Sequence, residues 1–149
     1  MIYSDKIKDA MNICFNAHKD DVDKAGYPYV FHPFFVATQM DDEESTIVAL
    51  LHDVVEDNED MYNLDDLRIL FGDKVYNALA LLTHNDDTPY MDYIKNIKNN
   101  PISRKVKLAD LKHNSDVNRL NGNKPNKYDL YIEAINYLED KDHIEEILK

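Results

Sequence analysis

The amino-acid sequence predicts an all-α chain. Apolar residues recur with a helical period along almost its whole length, and no segment alternates with period two. Prolines and glycines fall at the ends of the periodic runs, where helices start and stop. With three glycines in 149 residues, no internal repeat and no low-complexity tract, the expectation is one domain over residues 1–149, built from seven or eight helices.

The elements follow in order. Ile7, Met11, Cys14 and His18 are spaced as one stripe of a first helix, which Gly26 and Pro28 bring to an end. Pro33 suits a first helical position, with residues 34–40 following, and this sets His32 on the N-terminal lip of a second helix. Residues 43–57 read as a third helix with Ile47, Val48, Leu50, Leu51, Val54 and Val55 apolar, so it is buried on most sides. Asn63 caps a short helix over residues 64–71, closed by Gly72, and Asp73 caps the next, which runs through Leu82. Pro89 and Pro101 open helices over residues 90–98 and 102–116. Asn121-Gly122-Asn123 is a turn, and a last helix from about Asn126 carries Tyr128, Tyr131, Ile132, Ile135 and Leu138 on one side.

Composition narrows the function classes. A formal net charge of −12 repels polyanions, which excludes duplex DNA or long RNA as a partner while leaving room for a small anion in a locally cationic pocket. No apolar run approaches the roughly 20 residues that span a bilayer, and the N-terminus lacks the layout of a secretory signal, so no membrane role is expected. The single cysteine, Cys14, forms no internal disulfide, which suits a cytoplasmic protein, and it reads as a small buried hydrophobe. The ten tyrosines read mainly as packing residues whose hydroxyls reach water. His84 and His143 read as ordinary loop and helix-end residues, and the sequence leaves the oligomeric state open.

Chemistry concentrates at a few positions. His52 and Asp53 are adjacent in the buried third helix, where an unneutralised carboxylate is costly and a metal ion would offset the cost. Asp110 is a second carboxylate among apolar helix neighbours, and His32 is a further donor. Two imidazoles and two carboxylates make a mixed nitrogen and oxygen set suited to Mn2+ or Fe2+, with Zn2+ also compatible.

The segments Ala25-Gly26-Tyr27-Pro28-Tyr29-Val30-Phe31-His32-Pro33, Ala49-Leu50-Leu51-His52-Asp53-Val54-Val55-Glu56-Asp57 and Val106-Lys107-Leu108-Ala109-Asp110-Leu111-Lys112-His113-Asn114 resemble the HD superfamily. More narrowly, they resemble the hydrolase domain of the RelA/SpoT enzymes of the stringent response and its small stand-alone relatives, in order from about Ala17 to Asn118. The resemblance implies an HD-type helical fold and a metal held by His32, His52, Asp53 and Asp110. It implies a 3′-pyrophosphohydrolase acting on (p)ppGpp, with Glu56 and Asp57 as the catalytic acidic pair that positions a metal-activated water. Lys24, Lys107 and Asn114 are its expected substrate contacts, and His18 a supporting core residue. His113 stands beside Asn114 either as a partner of a metal ligand or as a surface residue, and Lys112 reads as a solvated lysine. The sequence departs from the family at Asp23, where an arginine that stacks on guanine is expected, and at Val117, where a hydroxyl residue is common. Asp23 keeps a second enzyme class open, an HD phosphohydrolase of another small nucleotide such as a nucleoside monophosphate. A third class is a metal-bound nucleotide sensor without turnover.

Overall fold

The computed structural model describes residues 2–57 and 61–139, with Asp57 represented by its backbone alone. Nine helices occur among the described residues, and no strand: α1 Asp5–His18, α2 Phe31–Thr38, α3 Glu43–Leu51, α4 Val54–Asp57, α5 Leu64–Phe71, α6 Asp73–Leu82, α7 Tyr90–Ile97, α8 Pro101–Asn114 and α9 Tyr128–Leu138. The expected all-α architecture is observed. Short polar side chains start four of the helices in the expected manner. Ser4, Asp42, Asn63 and Asn100 accept the backbone N–H three residues on, at 3.2, 2.8, 2.9 and 3.0 Å.

Helix α3 is the axis of the fold. Ser45 through Leu51 are all buried, and α1, α2, α6 and α8 pack around them. Leu50, Leu51, Val48 and Ile47 are each no more than 1% exposed, and burying such aliphatic side chains stabilises by about 1.5–3 kcal/mol apiece. Polar groups in this core are bonded inward: Ser103 donates its hydroxyl to the Ala78 carbonyl at 3.0 Å, joining α8 to α6.

Several boundaries differ from the sequence reading, each for a local reason. The expected third helix over residues 43–57 is interrupted, because His52 and Asp53 form a turn between α3 and α4. The His52 ring places Nδ1 2.5 Å from the Ala49 carbonyl, the group that in an unbroken helix accepts the N–H of Asp53. Helix α2 begins two residues before Pro33, as the Tyr29-Val30 turn runs straight into it. Pro33 is tolerated because it lies among the first four residues, whose N–H groups have no partner inside the helix. Gly72, and not Asp73, is the cap between α5 and α6; its φ of +93° serves both helices and is open to glycine alone at little cost. Pro89 caps α7 from outside, and α9 starts at Tyr128.

The α1–α2 loop is an irregular stretch that reaches the site. An isolated antiparallel bridge joins Val22 to Pro28, and Asp23 accepts the N–H groups of Ala25 and Tyr27 at 2.9 and 3.0 Å. Asp23 therefore ties up the loop that precedes His32. Among the described residues, no helix is long and apolar enough to cross a membrane.

Candidate metal centre

Three parts of the chain deliver the candidate ligands to one place. His32 comes from the first turn of α2, His52 and Asp53 from the turn between α3 and α4, and Asp110 from the buried face of α8. One ligand atom each of His32, His52 and Asp53 lies within 4.8 Å of the others. Asp110 Oδ1 lies 2.8 Å from His32 Nε2 and 3.5 Å from His52 Nε2, while Asp53 Oδ2 is 3.1 Å from His52 Nε2. His32, His52 and Asp110 are each 4% exposed, so the cluster is shielded except at Asp53.

The hydrogen bonds around the cluster point the ligand atoms inward. His52 Nδ1 is engaged by Ala49, and its Nε2 is buried without a hydrogen-bond partner. His32 Nδ1 lies 2.6 Å from His113 Nδ1, with the two rings nearly parallel, 7° apart, and their centroids separated by 4.9 Å. His113 is itself covered by Phe35 at 4.2 Å, and burial, helped by His32 and Arg119, pushes its pKa down to about 4. A neutral His113 is able to accept the His32 Nδ1–H, the tautomer that leaves the His32 Nε2 lone pair for a metal ion. His32 Nε2 and Asp110 Oδ1 lie 2.8 Å apart, close enough to share a proton or to be neighbouring ligands of one cation. Tyr29 donates its hydroxyl to Asp53 Oδ2, and the fully buried His18 ring backs Tyr29 at 4.9 Å, so His18 has the supporting place expected of it.

The electrostatics favour positive charge at this point. Burial opposes protonation of His52, yet the Asp53 and Asp110 carboxylates push its pKa well above the usual value. Burial also opposes ionisation of Asp53, and the His52 imidazole overcomes it, holding the carboxyl down at about 2. Asp110 is held well below the carboxylate range against the effect of burial, by the Lys107 ammonium and both imidazoles. A buried orphan imidazole nitrogen, two ionised carboxylates and a mixed N/O donor set fit a divalent metal ion.

Two cavities meet at this cluster. An inner one of about 140 Å³ has His52, Asp53, Glu56, Tyr90, Lys107 and Asp110 in its walls. An outer cleft of about 280 Å³ is lined by Lys24, Tyr29, His32, Arg119 and others, and Asn114 and Tyr131 line both. A larger groove of about 480 Å³ runs over Phe35, Lys112 and the far side of His113, and contains none of the four candidate ligands. Lys107 Nζ bonds Asp110 Oδ2 at 2.9 Å over the Tyr93 ring, and Asn114 Nδ2 donates to Asp110 Oδ1 at 3.0 Å. Glu56 is exposed and accepts the backbone N–H of His84. Asp57 ends α4, and Lys24 is exposed at the rim of the outer cleft. Lys112 is exposed and pairs with Glu139 at 2.7 Å. Cys14 is buried, and burial pushes its thiol up to about 12. His143 lies outside the described residues.

Sequence reasoning missed several participants. Tyrosine hydroxyls expected to reach water turn inward instead: Tyr29 bonds Asp53, and Tyr93 donates to the Leu82 carbonyl at 2.6 Å. His84, read as an ordinary loop residue, supplies the N–H that holds Glu56. Arg119, which no periodicity singles out, donates to the His113 carbonyl at 3.0 Å and to Asn114 Oδ1 at 3.3 Å, and lies 3.5 Å from Asp23 Oδ2. A guanidinium thus stands beside Asp23, supplied from beyond the end of α8.

No family model matches the chain. A GTP pyrophosphokinase of Streptomyces coelicolor is 32% identical over 122 residues, 73% of this chain and 14% of the relative. A guanosine-3′,5′-bis(diphosphate) 3′-pyrophosphohydrolase of Aquifex aeolicus is 32% identical over 85 residues, 54% of this chain and 12% of the relative. The bifunctional (p)ppGpp synthase/hydrolase SpoT of Escherichia coli is 31% identical over 91 residues, 58% of this chain and 13% of the relative. The chain thus spans about one seventh or less of the length of these relatives. A solved structure of a metazoan ortholog of SpoT, described as hydrolysing ppGpp, superposes with a TM-score of 0.74 at 23% identity, covering 93% of this chain and 87% of that one.

Proposed function

We propose that this chain, an HD domain of the RelA/SpoT hydrolase kind, is a metal-dependent phosphohydrolase that removes the 3′-pyrophosphate from (p)ppGpp. The observation that carries the reading is the convergence of two imidazoles and two carboxylates where a small cavity with a half-buried lysine meets a larger cleft. His32, His52, Asp53 and Asp110 would hold the metal, with Mn2+ favoured by the mixed donor set and Fe2+ or Zn2+ also accepted. When bound, the ion supplies a Lewis acid and lowers the pKa of a coordinated water.

The protein's own groups account for the rest. Glu56, steadied by the His84 N–H, is an anion at the cavity wall suited to taking the proton of the attacking water, and Asp57 follows it on α4 to orient that water. Lys107 offsets negative charge on the phosphoryl oxygens from the inner cavity, while Lys24 and Asn114 meet the nucleotide from the outer cleft and the junction. Attack of water on phosphorus breaks its bond to the 3′ oxygen. That oxygen takes up a proton, and pyrophosphate leaves.

Asp23 in the wall of the outer cleft favours a second reading, hydrolysis of another small nucleotide such as a nucleoside monophosphate. A manganese-loaded panel of ppGpp, nucleoside monophosphates and a simple phosphodiester separates the two. Release of pyrophosphate from ppGpp is expected; phosphate release from monophosphates with ppGpp left intact would overturn the first reading in favour of the second.

A further inference from the structure

Tyr90 is the first residue of α7 and lies in the wall of the inner cavity. Its hydroxyl is buried and has no protein hydrogen-bond partner among the described residues. Tyr93, its ring 5.8 Å away on the same helix, has its own hydroxyl satisfied by the Leu82 carbonyl. A buried hydroxyl without a partner is unfavourable, and phenylalanine would fill the same space without that cost. The fold therefore carries this oxygen at a loss, in the wall it shares with Lys107.

The chemistry of the surroundings says what the hydroxyl would meet. Burial pushes its pKa up to about 12, with Lys107 opposing and Asp110 and Tyr131 adding to the effect, so it remains an O–H donor at neutral pH. A donor beside an ammonium, facing Asp53, Asp110 and Glu56 across the cavity, matches an anion that bridges cationic and metal-holding walls. The 140 Å³ available holds about four or five water volumes of roughly 30 Å³, enough for a phosphoryl or pyrophosphoryl end and too little for a nucleoside.

We propose that Tyr90 is a substrate-binding residue whose hydroxyl donates to a phosphoryl oxygen lodged beside Lys107 in the inner cavity. This rests on the phosphohydrolase reading only in placing a phosphoryl group there, and not on the identity of the nucleoside.

The test is the Tyr90→Phe variant of the full chain, loaded with manganese and titrated with inorganic pyrophosphate by calorimetry, alongside thermal unfolding without ligand. Pyrophosphate affinity is expected to fall about tenfold to a hundredfold, as for loss of a hydrogen bond to a charged acceptor. The unfolding temperature is expected to hold or rise, which a merely structural hydroxyl would not allow. Unchanged affinity, with the hydroxyl then bonded to water, would overturn the proposal, as would a wild-type protein that binds no pyrophosphate. A Tyr90-dependent pyrophosphate site in a protein that never cleaves ppGpp would sink the substrate assignment and leave Tyr90 in its role. Cleavage of ppGpp with equal pyrophosphate affinity in both proteins would do the reverse.

Discussion

Asp110 carries two loads, and they can be separated. Its Oδ1 faces His32, His52 and Asn114, and its Oδ2 holds Lys107 at 2.9 Å. The carboxylate is 6% exposed and the lysine side chain 14%. Burial alone would depress the Lys107 pKa, yet Asp110 and Tyr93 hold it well above the usual lysine value, so the ammonium depends on its partner. Asp110→Asn keeps the shape and removes the charge, leaving a buried cation unpaired. Such a break costs about 3–5 kcal/mol, which at about 2–4 °C per kcal/mol in a domain of this size lowers the unfolding temperature by about 6–20 °C. Adding Lys107→Met removes the stranded charge with little change of volume and is expected to recover most of that loss. Metal binding is expected to be severely weakened and turnover to stay lost in both variants, because a neutral amide oxygen replaces the anionic donor. Thermal unfolding by circular dichroism in chelator, with manganese binding measured beside it, provides the assay. If the double variant unfolds no later than the single one, the buried pair is not what Asp110 contributes to stability. If either binds manganese like the wild type, Asp110 is not a ligand.

Glu56→Gln is expected to keep the metal and lose about a hundredfold or more in kcat, the usual worth of a general base; an unchanged kcat removes Glu56 from the mechanism. The His113 imidazole has a folded pKa of about 4, below the value of about 6.5 in an unfolded chain. Between those two values the unfolded state binds the extra proton, so the stabilisation is complete above about pH 6.5 and drains away as the pH falls toward 4. His113→Asn keeps an acceptor and should flatten that part of a urea-stability profile, whereas an identical slope would remove His113 as its source. Arg119→Ala frees Asn114 and Asp23 together. It should raise KM for the nucleotide about tenfold with metal stoichiometry unchanged, and an unaltered KM would show that the guanidinium does not shape the outer cleft.

The parts of this site that were legible in the sequence are those whose chemistry clashes with their local pattern. Asp53 and Asp110 are carboxylates in an apolar helical pattern, and that conflict, joined to the motifs around them, marks them. The helix cap at Asn63 was legible because it is satisfied by a neighbour three residues away. The break at His52 was not, since the apolar pattern of residues 43–57 runs through it and does not signal that the His52 ring takes up the Ala49 carbonyl. Tyr29, Tyr90 and Arg119 were missed for a related reason. Their roles depend on partners that are distant in sequence or on different elements: Tyr29 on Asp53, 24 residues away, Tyr90 on a cavity wall shared with Lys107, and Arg119 on Asp23 across the cleft. Asp23 looked like a lost cation when read in line, yet in space it is a loop cap with a guanidinium beside it.

Manganese titration followed by electron paramagnetic resonance of the free ion, with wild-type protein and His32→Ala, His52→Ala, Asp53→Ala and Asp110→Ala in parallel, addresses the metal centre itself. One tight ion per wild-type chain, lost or severely weakened in every one of the four variants, is the expected outcome. A wild-type chain that retains no ion, or any of these variants that binds manganese as tightly as the parent, would contradict a shared four-residue centre.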